Sequence, residues 1–280
     1  MNPPRLRLGR IGYLNVLPIY HPLEAGWIEH GFTLTYGPPA ELNRLIRGDG
    51  LDLSSVSSIE YARHPERYLL LPDLAIGSQG PVKSVLLLSR VPMAELKDKS
   101  LLVTAETHTS AALLRIVLER VYGVRPAFVP APGSVRQALA AGADQPAVLA
   151  IGDEALSLRY DPRFPYQLDL GEVWRDWTGL PFVFGVWVAR RQAVEADPAG
   201  VSRAAEILVQ AKKAGVAAIE EIIDLTAKAK TKMTRHELRH YYTCLCYDLG
   251  PKAQEGLRKF FDCLVEHQVI PKAPPLELVA

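Results

Sequence analysis

Cysteine is scarce in this chain of 280 residues. The three cysteines, Cys244, Cys246 and Cys263, are too few and of the wrong parity for a disulfide scaffold, and they suit a reducing compartment. Each reads as a small buried apolar residue. Neither charge is in excess: 32 Lys and Arg stand against 31 Asp and Glu, a net charge of +1. That balance excludes a basic face for nucleic acid. No apolar run approaches the length that spans a bilayer; the longest, FVFGVWVA at Phe182–Ala189, reads as a buried strand. The opening MNPPRLRLGR lacks the apolar segment of a secretory leader, so the expected location is the cytoplasm. Internal repeats and low-complexity tracts are missing, and so are the motifs G-x-G-x-x-G, Walker A and G-x-S-x-G.

What is there is ordinary globular composition, 48% hydrophobic and 22% charged, with strand and helix signals in alternation. That alternation predicts an α/β protein. Strands are expected at 6–13, 32–36, 51–56, 84–90, 100–104, 127–129, 147–151 and 182–188. Helices are expected at 18–27, 40–47, from about 59, at 110–122 and 134–141, from 198 to about 224, at 235–247 and at 254–266. Asp197-Pro198 is a good helix start, with Asp as cap and Pro in the first turn. Val201, Ala204, Ala205, Leu208, Ala211 and Gly215 follow it at helical spacing, which marks a core-facing stripe. Two apolar strands, near 84–90 and 182–188, read as crossings between lobes. The expected architecture is a two-lobe clamshell with a ligand cleft. Residues 1–90 and 182–280 form the first lobe and residues 91–181 the second. One continuous doubly wound sheet is the competing architecture.

The candidate binding residues sit where strands end, because ligands of open α/β sheets bind at the carboxyl edge of the strands. RIGYLNVLPIY, Arg10–Tyr20, ends a strand at Tyr13 and Asn15 and breaks at Pro18. Ser57-Ser58 follows the third strand and can cap a helix, bind a ligand, or both. Ser84 begins a crossing strand and can look into the cleft, while Lys83 beside it reads as solvated. ETHTS, Glu106–Ser110, opens an amphipathic helix with Ala111, Leu114, Val117, Leu118 and Val121 on one face. Thr107, Thr109 and Ser110 bring hydroxyls next to the unpaired N–H groups and positive dipole end that favour a carboxylate or phosphate. Plain capping is the simpler role for that turn. Gly152-Asp153-Glu154 follows an apolar strand, and its acids either touch ligand or cap a helix.

His236-Glu237-Leu238-Arg239-His240 matches the H-E-x-x-H zinc pattern. We reject that match. Thr234-Arg235-His236-Glu237 is also a capping box, Arg239 would repel a divalent cation, and no third ligand is evident. The aromatic segment Trp174–Phe182 reads as a hinge packed by large side chains.

Several runs, taken in order, resemble one family. GYLNVLP at 12–18, LDLSSVSSIEYAR at 51–63, TAETHTSAALLR at 104–115, AIGDEAL at 150–156, DLGEVWRDWTGLPFVFGVW at 169–187 and YDLG at 247–250 are similar to the chorismate dehydratases of menaquinone biosynthesis. The resemblance implies a type II periplasmic-binding-protein fold used as a cytoplasmic enzyme. It implies conversion of chorismate to 3-[(1-carboxyvinyl)oxy]benzoate and water, the first step of the futalosine route, without cofactor or metal. On that reading the catalytic candidates are Asn15, Ser84, His108 and Asp153. The substrate-binding candidates are Tyr13, Ser57, Ser58, Thr107, Thr109, Ser110 and Gly152. Asn15 cannot act as a general base, so the proton acceptor stays open among His108, Asp153 and the substrate's own enolpyruvyl carboxylate. The alternatives are a solute-binding protein for a small carboxylate, the sibling enzyme that forms dihydroxynaphthoate from cyclic futalosine, and a regulator's effector domain. No helix-turn-helix segment precedes the fold, which speaks against the last.

Overall fold

The computed structural model describes residues 6–104, 107–228 and 233–280. Glu106, the first residue of the ETHTS turn, and the first five residues of the chain lie outside them. The strands are β1 (Arg7–Ile11), β2 (Thr33–Gly37), β3 (Leu53–Ser57), β4 (Tyr68–Ser78), β5 (Val85–Ser89), β6 (Ser100–Thr104), β7 (Ala127–Ala131), β8 (Ala147–Ile151), β9 (Tyr166–Asp169), β10 (Phe182–Arg190) and β11 (Leu245–Cys246). The helices are α1 (Leu17–Glu24), α2 (Pro39–Arg47), α3 (Ser58–Arg63), α4 (His108–Tyr122), α5 (Val135–Ala140), α6 (Gly152–Leu158), α7 (Leu170–Thr178), α8 (Arg191–Ala196), α9 (Pro198–Ala217), α10 (Ile219–Lys228), α11 (Arg235–Cys244) and α12 (Pro251–Glu266). Among the described residues, no helix is long and apolar enough to cross a membrane.

The strands form two sheets. Six make the first, in the order β11-β4-β10-β3-β1-β2, and five make the second, in the order β7-β6-β8-β5-β9. β1 runs parallel to β2 and β3, while β10 enters antiparallel between β3 and β4. The chain therefore leaves the first sheet after β4 and comes back to it at β10.

Two expectations are corrected here. Val85–Ser89 does not cross between lobes or close the first one; β5 pairs with β8 and β9 inside the second sheet. All five of its residues are buried, because it is an inner strand covered on both faces. β10 likewise lies wholly within the first sheet. The link between the sheets is the short irregular stretch 79–84. The helix expected from Pro198 to about 224 is two helices, α9 and α10, that part at Ala218.

The α9 stripe is buried as its spacing predicts, and Asp197 caps the helix by accepting the Gly200 N–H at 2.8 Å. Gly215 lets α9 approach α1 closely: a Cβ there would sit 1.9 Å from the Pro18 carbonyl oxygen. On α4 the buried residues include Leu113, Leu114, Val117 and Leu118, whereas Val121, expected on the same face, is exposed. Trp174 is fully buried edge-on to Phe182, and its indole N–H donates to the Pro181 carbonyl at 3.2 Å. The aromatic segment thus packs the return into the first sheet. The Thr234–Glu237 capping box is formed: the Thr234 hydroxyl accepts the Glu237 N–H, and the Glu237 carboxylate accepts the Thr234 N–H at 2.8 Å. Only Cys263 of the three cysteines is buried; Cys244 and Cys246 are half-buried.

Candidate active site

A cavity of about 150 Å³ opens between the two sheets, lined from both sides. On the first-sheet side, β1 ends at Ile11, and a 3-10 turn over Leu14–Val16 holds Asn15 at its centre. Tyr13 precedes that turn in extended conformation, and Tyr13 and Asn15 both line the cavity. β3 contributes Ser55 and Ser57 from one face, as its two-residue period requires. Ser57 stands at the N-cap of α3, but its side chain makes no capping bond. Its Oγ and the Asn15 Oδ1 are buried without a hydrogen-bond partner. A buried polar atom left unpaired costs about 1–3 kcal/mol, so both atoms are poised to meet a ligand.

On the second-sheet side, Ser84 lies just before β5, 3% exposed, after Lys83 in left-handed backbone (φ 64°). The first turn of α4 brings His108, Thr109 and Ser110 to the wall. Thr107 is its N-cap and makes no side-chain capping bond. The first N–H groups of a helix have no intrahelical acceptor, so this turn presents donors and the positive end of a dipole. The Thr109 hydroxyl accepts the Ile59 N–H of α3 at 3.0 Å. It ties the two sides together directly. Gly152 completes this wall.

The structure thus gathers Tyr13, Asn15, Ser57 and Ser84 with His108, Thr109, Ser110 and Gly152 around one space. It leaves three candidates outside the cavity lining. Ser58 is fully buried and donates its hydroxyl to the Val183 carbonyl at 2.6 Å. The Thr107 hydroxyl pairs with that of Thr104. Asp153 lies at the rim of a neighbouring cavity of about 410 Å³ that shares Tyr13 and Ile151 with the first. One side of Asp153 reaches solvent, while protein crowds the carboxyl on the other. Desolvation pushes its pKa up, partly offset by the Leu14 backbone N–H. The aromatic residues Trp174 and Trp177 do not line the cavity.

Sequence reasoning missed Asn43, Ser55, Phe184 and Trp187, which also line it. Ser55 was within reach, since it shares a strand face with Ser57. Asn43 faces the space from a helix, where polar residues read as solvated. Tyr241 of α11, buried with its phenol beside Ser84, gave no sequence signal.

Among the described residues, none of those lining the cavity is Lys, Arg, Asp or Glu. The wall is built from amides, hydroxyls, helix-end N–H groups and one imidazole, over apolar and aromatic surface. Such a wall can hold carboxylates by neutral hydrogen bonds and can stack a ring. Among the described residues, no group of three or more His, Cys, Asp or Glu stands together to hold a metal.

Two sheets, the chain's exit and return between them, and a cleft lined from both sides define the periplasmic-binding-protein class of fold. The full-chain likeness to solved structures agrees. A protein from Archaeoglobus fulgidus matches at a TM-score of 0.73 and 17% identity, covering 96% of this chain and all of the other. The periplasmic aliphatic sulphonate binding protein SsuA from Escherichia coli matches at 0.68 and 17%, covering 98% and 96%. The family is narrower than the fold: a model described as menaquinone biosynthesis matches residues 6–266, and the chain belongs to that family. A chorismate dehydratase from Thermus thermophilus is 32% identical over 274 residues, 92% of this chain and 94% of that protein. A second, from Campylobacter jejuni, is 30% identical over 180 residues, 63% and 64% of the two chains.

Proposed function

We propose that the protein is a chorismate dehydratase, a hydro-lyase that converts chorismate to 3-[(1-carboxyvinyl)oxy]benzoate and water for menaquinone biosynthesis by the futalosine route. One observation carries the reading of the site: the Asn15 Oδ1 and Ser57 Oγ are buried and unpartnered in a cavity with no charged wall. About 150 Å³ is the volume that encloses one benzene ring. It suits a six-membered ring whose enolpyruvyl arm reaches toward the mouth. The family's biosynthetic role supports a cytoplasmic enzyme over a solute-binding protein of the same fold.

The chemistry follows from the substrate. The proton to be lost sits on the ring carbon that bears the ether oxygen, and it is conjugated through a double bond to the ring carboxylate. Its loss delocalises charge onto that carboxylate, and departure of the neighbouring hydroxyl then makes the ring aromatic. The protein's task is to stabilise the delocalised charge with pre-aligned dipoles and to orient the leaving group. The α4 turn at Thr109 and Ser110 serves a carboxylate from one side. Asn15 and Ser84 serve the reacting end from the other, where the Ser84 hydroxyl can donate to the departing oxygen.

His108 is exposed, at the edge of the cavity, and Asp153 lies outside the cavity lining. The proton acceptor is then the substrate's own enolpyruvyl carboxylate, which can reach the ring proton through a six-membered cyclic arrangement. His108→Ala is accordingly expected to keep turnover within about tenfold of the parent, since a positioned general base contributes about 10²–10⁴-fold. A loss beyond a hundredfold, measured as kcat, would make His108 the base. The reading as a whole is tested by incubating purified protein with chorismate and following ultraviolet absorbance. The expected product is one water lighter by mass. Binding of chorismate without any such product would leave the solute-binding alternative.

A further inference from the structure

Asp153 is an acid beside a site for a dianion, outside the cavity lining. Its surroundings explain its presence. The turn that carries Asn15 has no side-chain cap of its own. Both backbone groups of Leu14, the residue before Asn15, instead meet side chains from distant segments. The Asp153 carboxyl lies against the Leu14 N–H, and the Tyr242 hydroxyl of α11 donates to the Leu14 carbonyl at 3.1 Å. Burial lifts the Tyr242 phenol to about 12, so it stays a donor at neutral pH.

Gly152, one residue earlier, makes two further links. Its N–H donates to the Ser84 carbonyl at 2.7 Å. The Tyr13 ring lies against it, 3.5 Å from the point where a Cβ would project. Gly152 also takes left-handed backbone (φ 56°), which glycine adopts without steric cost. Tyr13, Leu14 and Ser84 therefore converge on two consecutive residues at the start of α6.

We propose that the Gly152–Asp153 turn is the joint that sets Asn15 opposite Ser84, and that Asp153 is a positioning residue, acting through the Leu14 N–H rather than on the substrate. The inference rests on the dehydratase reading for its activity readout. An amide oxygen can accept the Leu14 N–H as a carboxylate does, so the joint needs an acceptor and not a titrating acid.

The test compares Asp153→Ala, Asp153→Asn and Tyr242→Phe in the full chain with chorismate. Asp153→Ala and Tyr242→Phe are each expected to lower kcat by at least tenfold with KM changed less than threefold. Asp153→Asn should recover most of what Asp153→Ala loses and keep the parent's pH profile. Amide hydrogen exchange across 14–16 should quicken in Asp153→Ala and stay near the parent rate in Asp153→Asn. If Asp153→Asn is as slow as Asp153→Ala and the pH profile loses a limb, Asp153 is the proton acceptor and the proposal fails. If all three variants match the parent in kcat and exchange, the joint has no role. Failure of the dehydratase reading looks different: the parent itself forms no product, while the exchange comparison still reports on the joint.

Discussion

Asn15→Ala is expected to lower kcat by about 10²–10³, the cost of removing one pre-aligned polar group from a site that stabilises developing charge. Stability should not fall with it. The Asn15 Oδ1 has no protein partner, so trimming the side chain breaks no hydrogen bond through that atom in the folded state and removes a buried group that is left unpaired. The two effects separate cleanly. Steady-state turnover with chorismate gives the first, and thermal unfolding of the free protein gives the second. A kcat within threefold of the parent would remove Asn15 from the reacting end. A large drop in melting temperature would make it a structural residue instead.

The second large effect concerns the scaffold. Gly215→Ala is expected to destabilise the fold by about 3 kcal/mol, at the upper end for overpacking of a closed interface. The added methyl would meet the Pro18 carbonyl oxygen at 1.9 Å, and a backbone atom in a helix cannot step aside as a flexible side chain would. α9 and α1 must part, and α1 begins directly after the turn that carries Asn15. The melting temperature should fall by about 5 °C, because the unfolding entropy of a chain this long is about 0.6 kcal/mol/K. Gly31→Ala is the control, because nothing lies within 4 Å of the added methyl there. Equal melting temperatures for the two variants would mean that the helices have slack at Gly215.

Much of the fold was legible because local pattern and tertiary role agree in it. β6 and β8 run over the expected residues, and α9 buries the expected stripe. β4 was not legible. Its sequence YLLLPDLAIGS is interrupted by Pro72-Asp73, and Asp73 takes left-handed backbone (φ 56°) in mid-strand, which no alternation rule anticipates. β5 was found as a strand and assigned to the wrong sheet, since a wholly apolar strand carries no record of its partners. The site divides the same way. Positions at strand ends were readable, and so were hydroxyls at helix starts. Which hydroxyl faces inward was not. Ser57 and Ser58 are adjacent and chemically alike, and only the Val183 carbonyl, 125 positions away, claims one of them. Thr107 and Thr109 diverge likewise, one paired to Thr104 and the other to the N–H of Ile59.

A chamber that meets a dianion with dipoles alone also governs how the reaction ends. The product keeps both negative charges of the starting compound, so a fixed cation on the wall would grip it as firmly as the molecule it replaced. Exit could then throttle every cycle, as it does in many enzymes. With no Lys or Arg among the described residues on that surface, attraction falls off quickly once the ring flattens and the hydrogen bonds lose their alignment. A transport receptor must keep its cargo through dilution. This cleft is furnished to let go.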